Sequence, residues 1–163
     1  MRPSTIESLD SMIESIEAQP EEYLLGHTEI LQDLRHRRHL LEKFLREYTG
    51  PGFTLRHRSQ ERWRTVLADT AAPGRFRWLE FDVNGFSGHH TYDTQEECLG
   101  DMVDSDFEIP DPDALERVSG TPEWRKGTAI TAVIQAVNSR LLTWNKALEQ
   151  IEDIRRAYEE EVA

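Results

Sequence analysis

The densest grouping of residues able to move protons or hold a metal is His89-His90, followed by Asp93, Glu96, Glu97 and Cys98. Neutral imidazole beside carboxylates can ligate a metal, or act as a general base whose pKa those neighbours raise. The spacing fits no zinc, nuclease or triad template. His89, His90, Asp93 and Glu96 therefore define a secondary alternative, a metal-dependent hydrolase or nuclease. His36-Arg37-Arg38-His39 puts two imidazoles three residues apart on one helical turn, but Arg35, Arg37 and Arg38 repel a divalent ion there. Asp104-Ser105-Asp106-Phe107-Glu108 begins like a calcium loop and then departs from it. The sharp-turn Gly and the terminal Glu of an EF-hand are missing, and Ile109-Pro110 intervenes. Cys98, among carboxylates that disfavour a thiolate, reads as a small buried hydrophobe. No catalytic residue, metal or cofactor is assigned.

Charge is more informative than any motif. The 163 residues carry a formal charge of −12, from 31 acids and 19 bases. From Trp78 to Glu116 there are 12 carboxylates and no Lys or Arg. Within that span Glu96, Glu97, Asp101, Asp104, Asp106, Glu108, Asp111 and Asp113 form the expected acidic face for a basic partner. The preceding stretch is the opposite. From Arg35 to Arg77 there are 11 bases (Arg35, Arg37, Arg38, Lys43, Arg46, Arg56, Arg58, Arg62, Arg64, Arg75 and Arg77) against four acids. Arginines beside Trp63, Phe76 and Trp78 are the ingredients of phosphate contact and base stacking, which makes nucleic-acid binding the first alternative. Blocks of opposite sign have two fates. They neutralise each other within the fold, or each presents a field that selects a partner.

These residues need elements to carry them. Ser4-Thr5-Ile6-Glu7 fits a capping box, and Ile6, Leu9, Ile13 and Ile16 continue as a helix to about Ala18. Pro20-Glu21-Glu22 opens a second helix predicted to run to about Tyr48, where Thr49-Gly50-Pro51-Gly52 stops it. Within its apolar stripe His27 and Arg38 are positions for interchain or interhelix ion pairs, as is Arg155 later in the chain. Residues 53–93 read as β-rich, with Asn84-Gly85 as a hairpin turn. Asp93 or Thr94 caps a short helix through Met102 or Val103. Ser105 to Asp113 reads as an acidic loop held extended by Pro110 and Pro112. A short helix is predicted over Asp113 to Val118.

Thr121-Pro122 starts the last element. Ile134, Val137, Leu141, Trp144, Leu148, Ile151, Arg155, Tyr158 and Val162 step by three and four, which predicts one continuous helix with a coiled-coil seam over 121–162. Such a helix would be roughly 50 to 60 Å long against about 35 to 40 Å for a globule of this size, and a homodimer follows from that overhang.

The expectation is a single α+β domain over 1–163, in segments 1–49, 53–93, 94–118 and 121–162. Its core would be an antiparallel helical bundle of the N-terminal helix pair and the long C-terminal helix, with a small antiparallel sheet inserted. No apolar run reaches the roughly 18 residues that span a bilayer, no signal-peptide core follows Met1, and one cysteine forms no internal disulfide. A cytoplasmic protein without membrane contact is expected. The function read from these features is that of a non-enzymatic acidic interaction protein of inhibitor, immunity, antitoxin or nucleic-acid-mimic type.

Overall fold

Thr5, not Ser4, caps helix α1 (Ile6–Glu17): its hydroxyl accepts from the Ser8 amide, and the Ser8 hydroxyl accepts from the Thr5 amide. The sequence predicts the box one residue earlier, at Ser4–Glu7, and the structure moves it to Thr5 and Ser8. Another element decides this, because the Ser4 amide donates to Asp104 Oδ2 at 2.8 Å. The computed structural model describes residues 4–163 as a mixture of helices and one five-stranded antiparallel sheet, so the α+β class stands.

The predicted second helix is interrupted. Helix α2 (Glu21–Leu24) gives way to a 3-10 turn at Leu25–His27, and only then does α3 (Thr28–Glu47) begin. Strands β1 (Thr54–His57), β2 (Arg62–Ala68), β3 (Phe76–Asp82) and β4 (Gly85–Tyr92) follow, then α4 (Gln95–Asp104), β5 (Phe107–Pro110) and α5 (Ala114–Ser119). The sheet order is β4-β3-β2-β1-β5. Within the expected acidic loop, Phe107–Pro110 is thus an edge strand, antiparallel to β1, with a register irregularity between Arg56 and His57. Pro110 is tolerated at the end of an edge strand, where its missing N–H breaks no central ladder. The hairpin turns on Val83-Asn84, one residue earlier than Asn84-Gly85, and Gly85 (φ +121°) takes the left-handed position.

The larger correction concerns the C-terminus. The single helix predicted over 121–162 is two helices, α6 (Pro122–Asn138) and α7 (Trp144–Val162), packed on each other as a hairpin. Arg140 lies in the left-handed region (φ 60°) with its amide bonded to Val137 O, and the Leu141 amide reaches back to Ala136 O. This is a Schellman termination with arginine where glycine is usual. The hydrophobic period runs through the break because Leu141 and Trp144 keep the spacing while the backbone reverses. The homodimer argument from helix length therefore lapses. A left-handed non-glycine residue costs about 1 kcal/mol. We expect Arg140→Gly to raise stability by about that amount in urea unfolding, and an unchanged or lowered midpoint would contradict the cap geometry.

The chain divides into two compact units. Unit 1 runs to Leu79 and resumes over His89–Pro112; unit 2 comprises Glu80–Gly88 and Asp113–Ala163. In unit 1, α1 packs on α3 and α3 on α4. Leu9, Leu41, Phe44, Leu55, Val66, Leu99, Met102 and Phe107 form a continuous buried core there. Arg38, flagged by its place in the α3 stripe, pairs with Asp10 of α1 as well as with Glu42. In unit 2, Phe81, Phe86 and Trp124 meet edge to face at 5.0–6.3 Å, and Ala147 and Ile151 are buried. Gly127 is required rather than incidental, since a Cβ there would fall 1.9 Å from Asn84 O. The helical partners are thus α1 with α3 and α6 with α7, each pair inside its own unit. No helix among the described residues is long and apolar enough to cross a membrane.

Candidate functional site

Strand β2 places Arg64 and Val66 on the same side by its two-residue period, and Val66 lies in the core. Arg64 is consequently carried to the helix-facing side of the sheet, where it is 8% exposed. A guanidinium so desolvated needs a counter-charge and hydrogen-bond acceptors. Asp101 of α4 supplies them, with Oδ2 accepting from Arg64 Nη1 at 3.0 Å and from Trp78 Nε1 at 2.8 Å. The guanidinium also lies over the Trp78 ring (3.9 Å) and the Phe107 ring (4.4 Å). His90 stacks on Trp78 with centroids 6.3 Å apart, and His57 meets Phe107 edge-on at 5.3 Å. A ladder of alternating rings and cation thus runs His57–Phe107–Arg64–Trp78–His90 across unit 1, the kind of arrangement in which arginine outperforms lysine.

Beside the ladder is a cleft of about 380 Å³, lined among others by Arg64, Arg75, Trp78, His90, Tyr92, Asp93, Glu97 and Asp101. It joins residues from the acidic set, the arginine set and the histidine set. Its chemistry is nonetheless restrained. Arg75 Nε binds Asp93 Oδ1 at 2.8 Å, and Glu97 is taken by its capping box with Thr94. Burial pushes the Tyr92 hydroxyl well above its ordinary pKa, with the nearby Asp101 carboxylate adding to it. Burial likewise raises the Cys98 thiol, to about 12, with Asp101 contributing and Arg64 opposing. Neither is a nucleophile at neutral pH. Cys98 should accordingly resist iodoacetamide near pH 8 in the folded protein and react promptly in urea; rapid labelling of the native chain would contradict this.

The residues proposed for metal-dependent hydrolysis are not brought together. His89 and His90 are adjacent on β4 and point to opposite sides. Asp93 is held by Arg75, and Glu96 Oε1 accepts the Ile6 amide at 2.7 Å. Among the described residues no group of three or more His, Cys, Asp or Glu is placed to hold a metal ion.

Of the expected acidic face, Asp101, Asp104, Asp106 and Glu108 pair with arginines of the basic set. Arg37 binds Asp33 and Asp104, Arg58 binds Asp106 and Glu108, and His36 Nε2 is 3.4 Å from Glu108. Arg35 pairs with Glu17, and Arg62 Nη1 donates to Gln60. Asp111 Oδ2 accepts from Trp63 Nε1 at 2.8 Å. Arg56 is half-buried on β1 opposite Trp63 and Ile109. Arg77 has a buried Nε without a hydrogen-bond partner. Its charge helps depress the Asp69 carboxyl, an effect led by the Ala71 amide. Asp104 and Glu96 also satisfy amides at the start of α1, where the helix dipole favours negative charge. Of the eight carboxylates expected to face a partner, Asp113 alone is exposed and the other seven are half-buried. Charge segregation along the sequence is the signal that the blocks pair, but only the strand register says which residue takes which. No family model matches this chain, and no curated protein or solved structure matches it either.

Proposed function

We propose that the chain is a non-enzymatic acidic interaction protein that engages a basic partner, in the manner of small acidic inhibitors, immunity proteins, antitoxins or nucleic-acid mimics. The supporting observation is the location of the charge that internal pairing leaves over. The stretches assigned to unit 1 hold 20 acids and 12 bases. Arg35, Arg37, Arg38, Arg58, Arg64 and Arg75 are all tied to carboxylates of the same chain. The outward field of this unit is therefore anionic, which opposes nucleic-acid binding through the arginine block. The exposed Glu7, Glu14, Glu21, Glu22 and Glu29 lie on α1, α2 and the start of α3. The proposal assigns the partner-facing charge to them, because the carboxylates from Glu96 to Asp111 are largely committed within the fold.

The test is capture from the native host followed by association kinetics on the captured protein. A basic partner is expected, with an on-rate that falls steeply with added salt and with Glu7→Lys/Glu14→Lys, but little with Glu149→Lys/Glu152→Lys on α7. An on-rate indifferent to salt and to the first pair would overturn the reading. Retention of single-stranded DNA at low salt would favour the arginine-block alternative instead. Self-association is proposed on new ground, since Leu141, Trp144 and Leu148 expose large apolar side chains at the start of α7 and just before it. A sedimentation mass of 19.0 kDa at micromolar concentration would remove it.

A further inference from the structure

The 3-10 turn between α2 and α3 has a consequence for the surface of unit 1. Residues 25–27 depart from the helical path, and Thr28 Oγ1 lies 3.3 Å from both Leu24 O and Leu25 O. Leu25 is left 83% exposed. Beside it opens a groove of about 570 Å³ between the end of α1, α2 and α3. Leu24 and Leu31 supply apolar wall, and Glu17, Glu21 and Glu22 supply negative charge. Arg35, the cation lining it, is paired with Glu17, so Glu21 and Glu22 set the sign of the groove.

We infer that this groove is where the basic partner docks, taking a segment in which one bulky apolar side chain is flanked by lysine or arginine. The inference rests on the reading of the chain as an acidic interaction protein and adds the site and the recognition chemistry. The argument is complementarity. An apolar anchor would cover Leu24, Leu25 and Leu31, while flanking cations meet Glu21 and Glu22. A purely apolar ligand would leave those carboxylates facing apolar surface, and a purely cationic one would leave Leu25 in water. A pocket of this size accommodates one or two side chains rather than a long helix face.

The experiment titrates the full chain, isotopically labelled for amide NMR, with three synthetic peptides. The first has a central Leu-Trp flanked by lysines, the second has serine at the two apolar positions, and the third has glutamate in place of lysine. The first peptide is expected to shift the amides of Leu24, Leu25, Thr28, Leu31 and Gln32. The second should bind about tenfold more weakly, and the third should not bind. Leu25→Asp and Glu21→Lys/Glu22→Lys should each weaken the first peptide by about tenfold. Their circular dichroism should be unchanged, because these side chains are exposed. Equal binding of the first two peptides, with shifts spread over other carboxylates, overturns the groove while leaving the acidic interaction reading intact. Failure of both lysine peptides to bind even at low salt overturns the groove and that reading together.

Discussion

Asp101→Ala should cost about 3 kcal/mol of unfolding free energy, close to the loss expected when one partner of a buried ion pair is removed. Arg64 is 8% exposed and would keep its charge with no carboxylate at 3.0 Å. Trp78 Nε1 would lose its 2.8 Å acceptor in the same step. Asp101→Asn keeps an acceptor oxygen and should cost less. The double variant Arg64→Met/Asp101→Ala should recover part of the loss, since it removes the stranded cation and keeps apolar bulk between Trp78 and Phe107. Urea unfolding of the three variants decides the matter. An Asp101→Ala variant within about 0.5 kcal/mol of the parent would mean that the Asp101 carboxylate is not what holds Arg64.

Gly100→Ala should be comparably severe for a different reason. A Cβ at Gly100 would sit 1.8 Å from Ser4 O and 2.9 Å from Ser4 C. Backbone cannot yield as a flexible side chain does, so α4 and the segment entering α1 must separate. That separation also strains the bonds from the Ser4 amide to Asp104 and from the Ile6 amide to Glu96. Overpacking against fixed backbone typically costs 1–3 kcal/mol and at times more; we expect about 3 kcal/mol, with faster hydrogen exchange concentrated in the first turns of α1. Normal stability with unchanged exchange there would refute the close approach.

How much of this was legible in the sequence depends on range. Elements defined by local chemistry read well. Thr94 and Thr121 cap helices as their hydroxyls suggest, Gly50 and Gly52 take positive φ in the turn that follows α3, and the Asn84-Gly85 signal marks a hairpin within one residue of its place. Two breaks did not read, one without any Gly or Pro and one around the lone Gly26. Arg140 reverses the chain in a left-handed conformation that sequence reasoning reserves for glycine, and Leu25–His27 tightens to a 3-10 turn inside an unbroken apolar period. Phe107–Pro110 looks like loop because two prolines and flanking acids mask a four-residue edge strand. The site divides in the same way. Segregated charge marks the residues that pair, yet Asp101 meets Arg64 only because the β2 register and the pitch of α4 bring them to one point. Tyr92 carries no signal of its own, and its place beside Trp78 follows from strand pairing alone.

The interleaved layout of unit 1 also bears on the order in which the chain is made. Strand β1 (Thr54–His57) receives β2 soon after synthesis, but its other edge waits for Phe107–Pro110, about fifty residues later. Until then a row of unpaired amides and carbonyls faces outward, ready to recruit a neighbouring strand. Nascent chains halted before Phe107 would be the aggregation-prone species, whereas chains released after Pro110 carry their own edge cover.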